Sequence, residues 1–325
     1  MTVETNWDTA PSVMESIGSL RLSPRECNLD YWYRNVASNF TAHLVNGHEP
    51  DAVVPEWMMA EGPFREAILT EFAFRSIAEE KAARAISHLV LAAPTSVEMN
   101  FYATQLIDEA RHADAFRAHM GEIVGSGTNL DDLVDEYAAL GRVNVLDPLE
   151  AFALRILGED DSFIAGVAVL TILVEGVLAP TGELSERKWL HVNPAGAGVE
   201  RGAAIDELRH LAVGSEIIKD AVAADPSIAA RISAIVNEGL TLWAQLPIVE
   251  EMRKRETFFE AGLDRVRAGD APAALCQALS TYECWPGVRL LDTDVDTRLN
   301  TALSWSGRAQ LTRLEYMGLS DALTH

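Results

Sequence analysis

A five-residue pattern, Asp-Glu-X-Arg-His, occurs twice in this chain and constrains its fold more than any other feature of the sequence. One copy spans residues 108–112 and the other spans residues 206–210. On an α-helix, residues three positions apart project from one face, so the glutamate and histidine of each copy can bind the same ion. One such pair is weak evidence, because carboxylates near surface histidines are common. Two copies with the same aspartate and arginine indicate a metal site between helices.

Long apolar-periodic segments rich in alanine, leucine, glutamate and arginine surround both copies, and they predict an all-α protein. Asn-Gly or Asp-Gly turns flanked by alternating strands are missing, which argues against β-hairpins. Glycine and proline mark the breaks between segments. The predicted helices lie at about 63–92, 96–124, 130–157, 162–187, 198–223, 227–268 and 295–317.

A dimetal site in a four-helix bundle needs two more carboxylates, one from each remaining helix. Glu175 is the only charged residue between Ser162 and Gly182. An unpaired buried carboxylate is costly, so a metal ion is the expected partner of Glu175. The alternative is a membrane-spanning segment, since the run is about long enough, but Glu175, two internal glycines and the lack of basic anchors weaken that interpretation.

The fourth carboxylate must come from the segment containing Glu79 and Glu80, and the helical phase distinguishes them. Glu79 shares a face with apolar residues, among them Phe72 and Ile86. Glu80 shares a polar stripe with Arg84, which is typical of a solvent-facing surface. We therefore predict Glu79 as the ligand.

The spacing of the four carboxylates provides an independent check. In an antiparallel hairpin of two helices, residues equidistant from the turn lie at the same level. Glu79 and Glu109 are centred on Pro94, which is followed by a capping-box sequence at Thr95. Glu175 and Glu207 are centred on His191, which lies within a predicted break between two helices. The six predicted metal ligands are Glu79, Glu109, His112, Glu175, Glu207 and His210.

At these residues the chain resembles the ferritin-like non-haem diiron carboxylate oxygenase superfamily. That superfamily includes the hydroxylases of bacterial multicomponent monooxygenases, acyl-carrier-protein desaturases and the small subunit of ribonucleotide reductase. The repeated Asp-Glu-X-Arg-His pattern is most similar to the monooxygenase hydroxylases. The similarity covers roughly residues 63–223 and implies a ferritin-like four-helix bundle with a dimetal core.

The expected organisation is one domain over residues 1–325. It has an N-terminal arm at 1–62, the metal-binding core at 63–223 and additional C-terminal helices at 224–325. The resemblance further implies that Asp108 and Asp206 accept hydrogen bonds from the histidines of the opposite hairpin. In this arrangement Arg111 and Arg209 hold the two aspartates together.

Four carboxylates and two imidazoles form an oxygen-rich site that suits iron, with manganese as the alternative, and suits structural zinc poorly. The expected cofactors are two iron ions cycling between Fe²⁺ and Fe³⁺, with O₂ as co-substrate. No segment resembles a flavin or nicotinamide site. The electrons should therefore come from an external donor or reductase.

Single positions narrow the reaction. Phe116 stands where radical-bearing ribonucleotide reductase subunits have a tyrosine, which excludes a tyrosyl radical at that position; Tyr102 remains a substitute or an ordinary core residue. Ala203 stands where arylamine N-oxygenases have a third histidine. The chain is about twice the length of ferritin-type storage proteins, and it is shorter than the large hydroxylase subunits.

The remaining resemblance is to nitrogen-oxidising diiron enzymes of bacterial natural-product pathways, such as the valanimycin-pathway type that acts on a hydrazine. It implies oxidation of an amine or hydrazine to an N-oxygenated or azoxy product, as part of antibiotic biosynthesis. The alternatives are a C–H hydroxylase or desaturase, and a noncatalytic iron-binding or ribonucleotide-reductase-like subunit. The substrate pocket is expected at Thr104, Gln105, Phe116, Thr171 and Leu178, each of which could equally be core packing.

The formal net charge of −23 argues against nucleic acid or an anionic membrane surface as partners. Three cysteines, Cys27, Cys276 and Cys284, form no CxxC pair and suit a reducing compartment. The N-terminus lacks the basic start and apolar stretch of a signal peptide. We therefore expect a cytoplasmic protein that acts on a small molecule, and the superfamily resemblance implies a homodimer.

Overall fold

The computed structural model describes residues 11–42, 46–158 and 162–320. It confirms the predicted all-α helical bundle. A two-stranded antiparallel hairpin, β1 (Glu283–Trp285) and β2 (Val288–Arg289), is the only sheet within these residues. The helices are α1 (Val13–Ser16), α2 (Leu29–Trp32), α3 (Ser38–Ala42), α4 (Glu56–Met59), α5 (Pro63–Ala92), α6 (Ser96–Val124), α7 (Leu130–Gly141), α8 (Asp147–Leu157), α9 (Ser162–Ala168), α10 (Gly176–Trp189), α11 (Pro194–Ala224), α12 (Ser227–Gln245), α13 (Ile248–Ala268), α14 (Ala273–Leu279) and α15 (Val295–Met317).

Two helical hairpins form the core of the bundle. Helices α5 and α6 meet at the predicted turn, where the Thr95 side chain accepts a hydrogen bond from Val97 N at 3.1 Å. Helices α10 and α11 form the second hairpin. Helix α11 begins at Pro194, four residues before the predicted start, because proline is favoured in the first turn and Asn193 caps the helix through Gly196 N.

The helix that carries Glu175 contains a π-helical segment, Val169–Glu175, between α9 and α10. A π-helical turn disturbs the regular hydrogen-bond ladder, so nearby carbonyls need other donors. Trp243 Nε1 on α12 donates to Leu173 O at 2.8 Å, and Gln310 Nε2 on α15 donates to Ile172 O at 3.1 Å. The C-terminal helices thus fix the segment that ends at Glu175.

A second π-helical segment, Arg142–Leu146, joins α7 to α8. The predicted helices at 130–157 and 162–187 are therefore helical across the described residues, but each contains a π-helical segment that the sequence did not reveal. The periodicity of apolar residues changes too little over one wide turn to show it.

The single helix predicted at 227–268 is wrong. Helices α12 and α13 are separate and meet at an angle of 50°. The cause is Pro247, which lacks an N–H and would collide with the carbonyl four residues earlier in a continuous helix. Because of this bend, α12 packs on the Val169–Glu175 segment while α13 packs on α5. The β-hairpin and α14 were also not predicted; Gly287, at φ 75°, provides the hairpin turn.

The apolar core is divided into two main clusters, one on each side of a polar layer. Along α6, Phe101 belongs to one cluster and Phe116 to the other. Along α11, Val213 and Ala203 are divided in the same way. The two Asp-Glu-X-Arg-His segments lie between these positions. The bundle therefore places the charged residues of these two segments in a layer with an apolar cluster on either side.

The stretch Phe163–Trp189 is long and apolar enough to span a membrane by length and composition. In the folded chain, however, 78% of its most apolar window is buried against other helices. A core helix passes the same test of composition, so this feature does not indicate a membrane span.

The N-terminal arm contacts the bundle at several points, among them the buried side chains of Val13, Trp32 and Met58. Beside Trp32, Tyr31 is partly buried and Tyr33 is 63% exposed. The described part of the predicted arm thus packs on the bundle, with Tyr33 facing solvent. Trp7 lies outside the described residues.

Gly214 on α11 permits the close approach of Thr171, because a Cβ at this position would overlap the Thr171 hydroxyl. We predict that Gly214→Ala lowers the free energy of unfolding by about 1–3 kcal/mol through overpacking. Adding Thr171→Ala should restore most of the loss. Gly307→Ala, where no atom lies within 4 Å, is the matched control and should not destabilise the protein. Chemical denaturation measures all four; equal stability of Gly214→Ala and wild type would contradict the packing argument.

Candidate metal centre

The structure brings the six predicted ligands together at one level of the core helices. They form two groups in which one ligand atom from each residue lies within 4.8 Å of all the others. The first group contains Glu79, Glu109, His112 and Glu207, and the second contains Glu109, Glu175, Glu207 and His210. Both groups share Glu109 and Glu207. This arrangement could hold two adjacent metal ions, with Glu109 and Glu207 available to both.

The distances between ligand atoms fit coordination of a common ion. His112 Nδ1 lies 3.6 Å from Glu109 Oε2 and 3.8 Å from Glu79 Oε2. His210 Nδ1 lies 3.2 Å from Glu109 Oε1 and 3.8 Å from Glu207 Oε2. Ligands bound about 2.1 Å from a first-row metal ion are roughly 3–4 Å apart.

Five polar atoms of the candidate ligands are buried without hydrogen-bond partners among the described residues. In a buried site each such atom costs about 1–3 kcal/mol unless something else compensates it. The six ligands therefore fit a pair of metal ions, which would satisfy these atoms together. The unpartnered atoms are Glu109 Oε1, Glu175 Oε2, Glu207 Oε2, His112 Nδ1 and His210 Nδ1.

The second nitrogen of each histidine contacts an aspartate of the opposite hairpin. His112 Nε2 lies 3.2 Å from Asp206 Oδ2, and His210 Nε2 lies 3.4 Å from Asp108 Oδ2. These contacts leave both Nδ1 atoms directed at the centre. A partner of this kind fixes the orientation and tautomer of a metal-binding imidazole.

Arg209 links the two aspartates. Its guanidinium donates to Asp108 Oδ2 at 2.5 Å and to Asp206 Oδ1 at 2.9 Å. Of the two aspartates, Arg111 donates to Asp206 alone, and its guanidinium stacks on the ring of Phe40. The two arginines are therefore not equivalent, although the repeated motif presents them as a pair.

Two supporting contacts could not be inferred from the motif. Trp32 Nε1 donates to Asp108 Oδ1 at 2.9 Å, so the N-terminal arm completes the aspartate's hydrogen bonding. Gln105 Nε2 donates to Glu175 Oε1, which leaves Oε2 free for a metal ion. Gln105 was predicted as a pocket residue, and the structure places it as a support for a ligand.

The acidic layer has unusual proton affinities in the absence of cations. Burial and the nearby Glu207 carboxylate raise the pKa of Glu109 to about 7, and the same two causes raise the pKa of Glu175 well above its ordinary value. Burial opposes ionisation of Glu79, but its close polar contacts with His112 and Glu109 and the positive charges of His112 and Arg75 outweigh burial and lower its pKa to about 2. Four adjacent carboxylates thus need protons or cations to coexist.

Three other side chains that could bind a metal, those of Glu80, His88 and His119, do not join this centre. Glu80 faces outward and pairs with Arg84 and Arg117, each at 2.7 Å. His119 is buried two turns beyond His112, where Nδ1 contacts Glu122 and Nε2 contacts Asn193. His88 is exposed, and His43 lies outside the described residues.

A cavity of about 390 Å³ reaches the centre at Glu79. It lies between α5, α7, α10, α12, α13 and α15, and Leu178 is the one predicted pocket residue that lines it. Phe116 packs on Phe72 instead, and Thr104 Oγ1 donates to Phe101 O. Much of the wall comes from the C-terminal helices, whose position relative to the core no sequence pattern revealed.

Tyr102 on α6 lies in the core, where its ring packs edge-on against Phe163 of α9. Its hydroxyl is buried without a hydrogen-bond partner among the described residues. Burial and the Glu175 carboxylate raise the pKa of Tyr102 well above its ordinary value. The side chain is therefore a neutral phenol close to the candidate centre.

Comparison with known proteins adds no assignment, because no protein-family model and no curated protein matches the chain. The function must therefore be inferred from the site itself. The three cysteines are free and lie outside both groups.

Replacing Trp32 tests whether the arm supports the centre. We predict that Trp32→Phe lowers the free energy of unfolding by about 1–3 kcal/mol, because Asp108 Oδ1 loses its donor inside the protein. Tyr33→Phe, on the exposed side of the same segment, should leave stability unchanged. Urea unfolding monitored by circular dichroism compares them. Equal stability of the two variants would mean that the arm does not stabilise the aspartate.

Proposed function

We propose that this protein is an O₂-activating non-haem diiron oxygenase of the ferritin-like superfamily. The observation that supports it most is the pair of overlapping ligand groups that share Glu109 and Glu207. Each group has one histidine whose second nitrogen is held by an aspartate of the opposite hairpin. Surface acidic clusters lack these features.

Two ferrous ions at this site would supply the electrons that reduce O₂. The protein's own residues perform four other tasks. The four carboxylates balance the charge of two divalent ions, and the aspartates hold the imidazoles in the ligating tautomer. Gln105 orients Glu175. The apolar clusters keep water away from the layer on both sides along the helices, while the cavity reaches it at Glu79.

The proposed reaction is the oxidation of nitrogen in a small amine or hydrazine. It is supported by the cavity at Glu79, which offers a small molecule a route to the ligands from one side of the bundle. C–H hydroxylation or desaturation at the same centre is the alternative enzyme function. In each case an external donor must supply two electrons to return ferric ions to the ferrous state.

Metal binding is tested first with the adjacent residues Glu79 and Glu80. We predict two irons per wild-type chain after anaerobic reconstitution, and a loss of iron in Glu79→Ala. Glu80→Ala should bind iron as wild type does, because its side chain faces outward. Glu175→Ala should also lose iron, because Glu79 and Glu175 each belong to one of the two ligand groups. Elemental analysis and Mössbauer spectroscopy measure content and environment.

Tightly bound zinc, or no metal after reconstitution with iron, would overturn the diiron assignment. So would equal iron content in Glu79→Ala and Glu80→Ala. The paired motifs would then be a structural network of buried charges.

Turnover is tested by adding O₂ and a chemical reductant to the iron-loaded protein with a panel of amines and hydrazines. We predict multiple turnovers with one oxygen atom incorporated from ¹⁸O₂ on nitrogen. Substrates deuterated at carbon should retain all their deuterium. Loss of deuterium would indicate hydroxylation or desaturation, and a single oxidation without turnover would indicate a noncatalytic iron protein.

A further inference from the structure

The cavity that reaches the metal ligands has a polar end and an apolar end. Along α5 its wall runs from Glu79 back to Thr70, a helical rise of roughly 13 Å. Near the ligands the wall includes the apolar side chains of Val177, Leu178 and Trp243, and one helical turn from Glu79 it also includes Arg75. Towards the other end, Arg255 on α13 forms part of the wall. The cavity therefore has a cation at one end and the candidate metal centre at the other.

The buried cations around the polar end mostly have hydrogen-bonded or closely paired anions. Each of these pairs lies within the distance of a short ion pair, which compensates the cost of burial. The charge of each of these cations is compensated by its partner carboxylate. The pairs are Arg75 with Glu200 at 2.7 Å, Lys188 with Glu71 at 3.0 Å and Arg298 with Glu256 at 2.6 Å.

Arg255 differs from these cations in the length of its closest ion pair. Its Nε lies 3.9 Å from Glu71 Oε1, whereas Arg75 Nε lies 2.7 Å from Glu200 Oε1. Neither Nε has a hydrogen-bond partner among the described residues, but only the Arg255 Nε also lacks a close anion. Glu71 already accepts hydrogen bonds from Ser185 at 2.9 Å and from Trp189 at 3.0 Å, in addition to Lys188. The Glu71 carboxylate is therefore satisfied without Arg255.

Glu251, the acidic residue that α13 contributes to the cavity wall, does not neutralise Arg255 either. It pairs with Lys254 Nζ at 2.7 Å. At the opposite end, the wall residue Glu79 would repel a ligand anion. An anionic group entering the cavity is thus attracted to the Arg255 end and repelled from the metal end by the protein's own charge.

We propose that the cavity binds a carboxylate-bearing, otherwise apolar molecule, with its carboxylate on Arg255 and its apolar body directed to the metal ligands. For the reactive end, this inference rests on the proposed oxygenase function. For the anion site it does not, because Arg255 belongs to the protein with or without metal. The substrate would then be an amine or hydrazine that also carries a carboxylate.

Octanoate and octanamide are suitable probes, because they have similar shapes and differ in charge. Calorimetry on the metal-free protein avoids binding of octanoate to iron, and the iron-loaded protein is then measured in the same way. We expect octanoate to bind at least tenfold more tightly than octanamide in both forms. Arg255→Gln should abolish this preference, and Arg255→Lys should retain part of it.

Arg253→Gln is the matched control. Arg253 lies two residues away on the same helix, is about half exposed and pairs with Asp296 at 2.7 Å. It should bind octanoate as wild type does. Leu178→Trp, which fills the apolar end, should weaken both probes equally. Thermal unfolding of each variant separates loss of binding from loss of fold.

Equal binding of the two probes, no binding of either, or an unchanged preference in Arg255→Gln would overturn the proposal. The iron measurements separate it from the oxygenase assignment. A preference for octanoate in a protein that binds no iron would support the anion site and reject the diiron function. Iron binding without the preference would do the opposite.

Discussion

The structure depends on the need to hold four carboxylates and two imidazoles together in a dry layer. Carboxylates at such distances repel one another, and burial increases the cost of every charge. The fold meets this cost on the outer side of the layer, where Asp108, Asp206 and Arg209 bind one another and the histidines. It leaves the inner atoms unpartnered. The ligand atoms that remain without a partner therefore face the centre, where two cations would satisfy them.

The helices outside the four-helix core contribute directly to this layer. Trp243 and Gln310 donate to carbonyls of the π-helical segment that carries Glu175, while Trp32 donates to Asp108. The bend at Pro247 lets α12 reach the segment and lets α13 lie along α5. Residues on both sides of the bend line the cavity that ends at Glu79. The helices outside the core therefore fix the helix that carries Glu175 and form part of the cavity that leads to the candidate centre.

Much of the fold and candidate centre could be predicted because the helical repeat is regular. The phase of the helix distinguished Glu79 from Glu80, and the equal distances from each turn placed the four glutamates at one level. The resemblance to diiron proteins supplied the crosswise contacts between histidines and aspartates, which the structure also shows. The pocket residues were harder to predict. Thr104, Gln105 and Phe116 lie on a core helix, whereas much of the cavity wall comes from helices far along the chain.

The sequence by itself determined the all-α class, the two hairpins and the faces on which the ligands lie, because all of these follow from local periodicity and turn chemistry. Only the tertiary structure decided where α12, α13 and α15 pack, that the chain widens into a π-helix before Glu175, and that Arg255 stands at the end of the cavity without a hydrogen bond at Nε. These features depend on contacts between distant segments. No local pattern encodes them, since side chains far apart in sequence provide the donors, the walls and the charges.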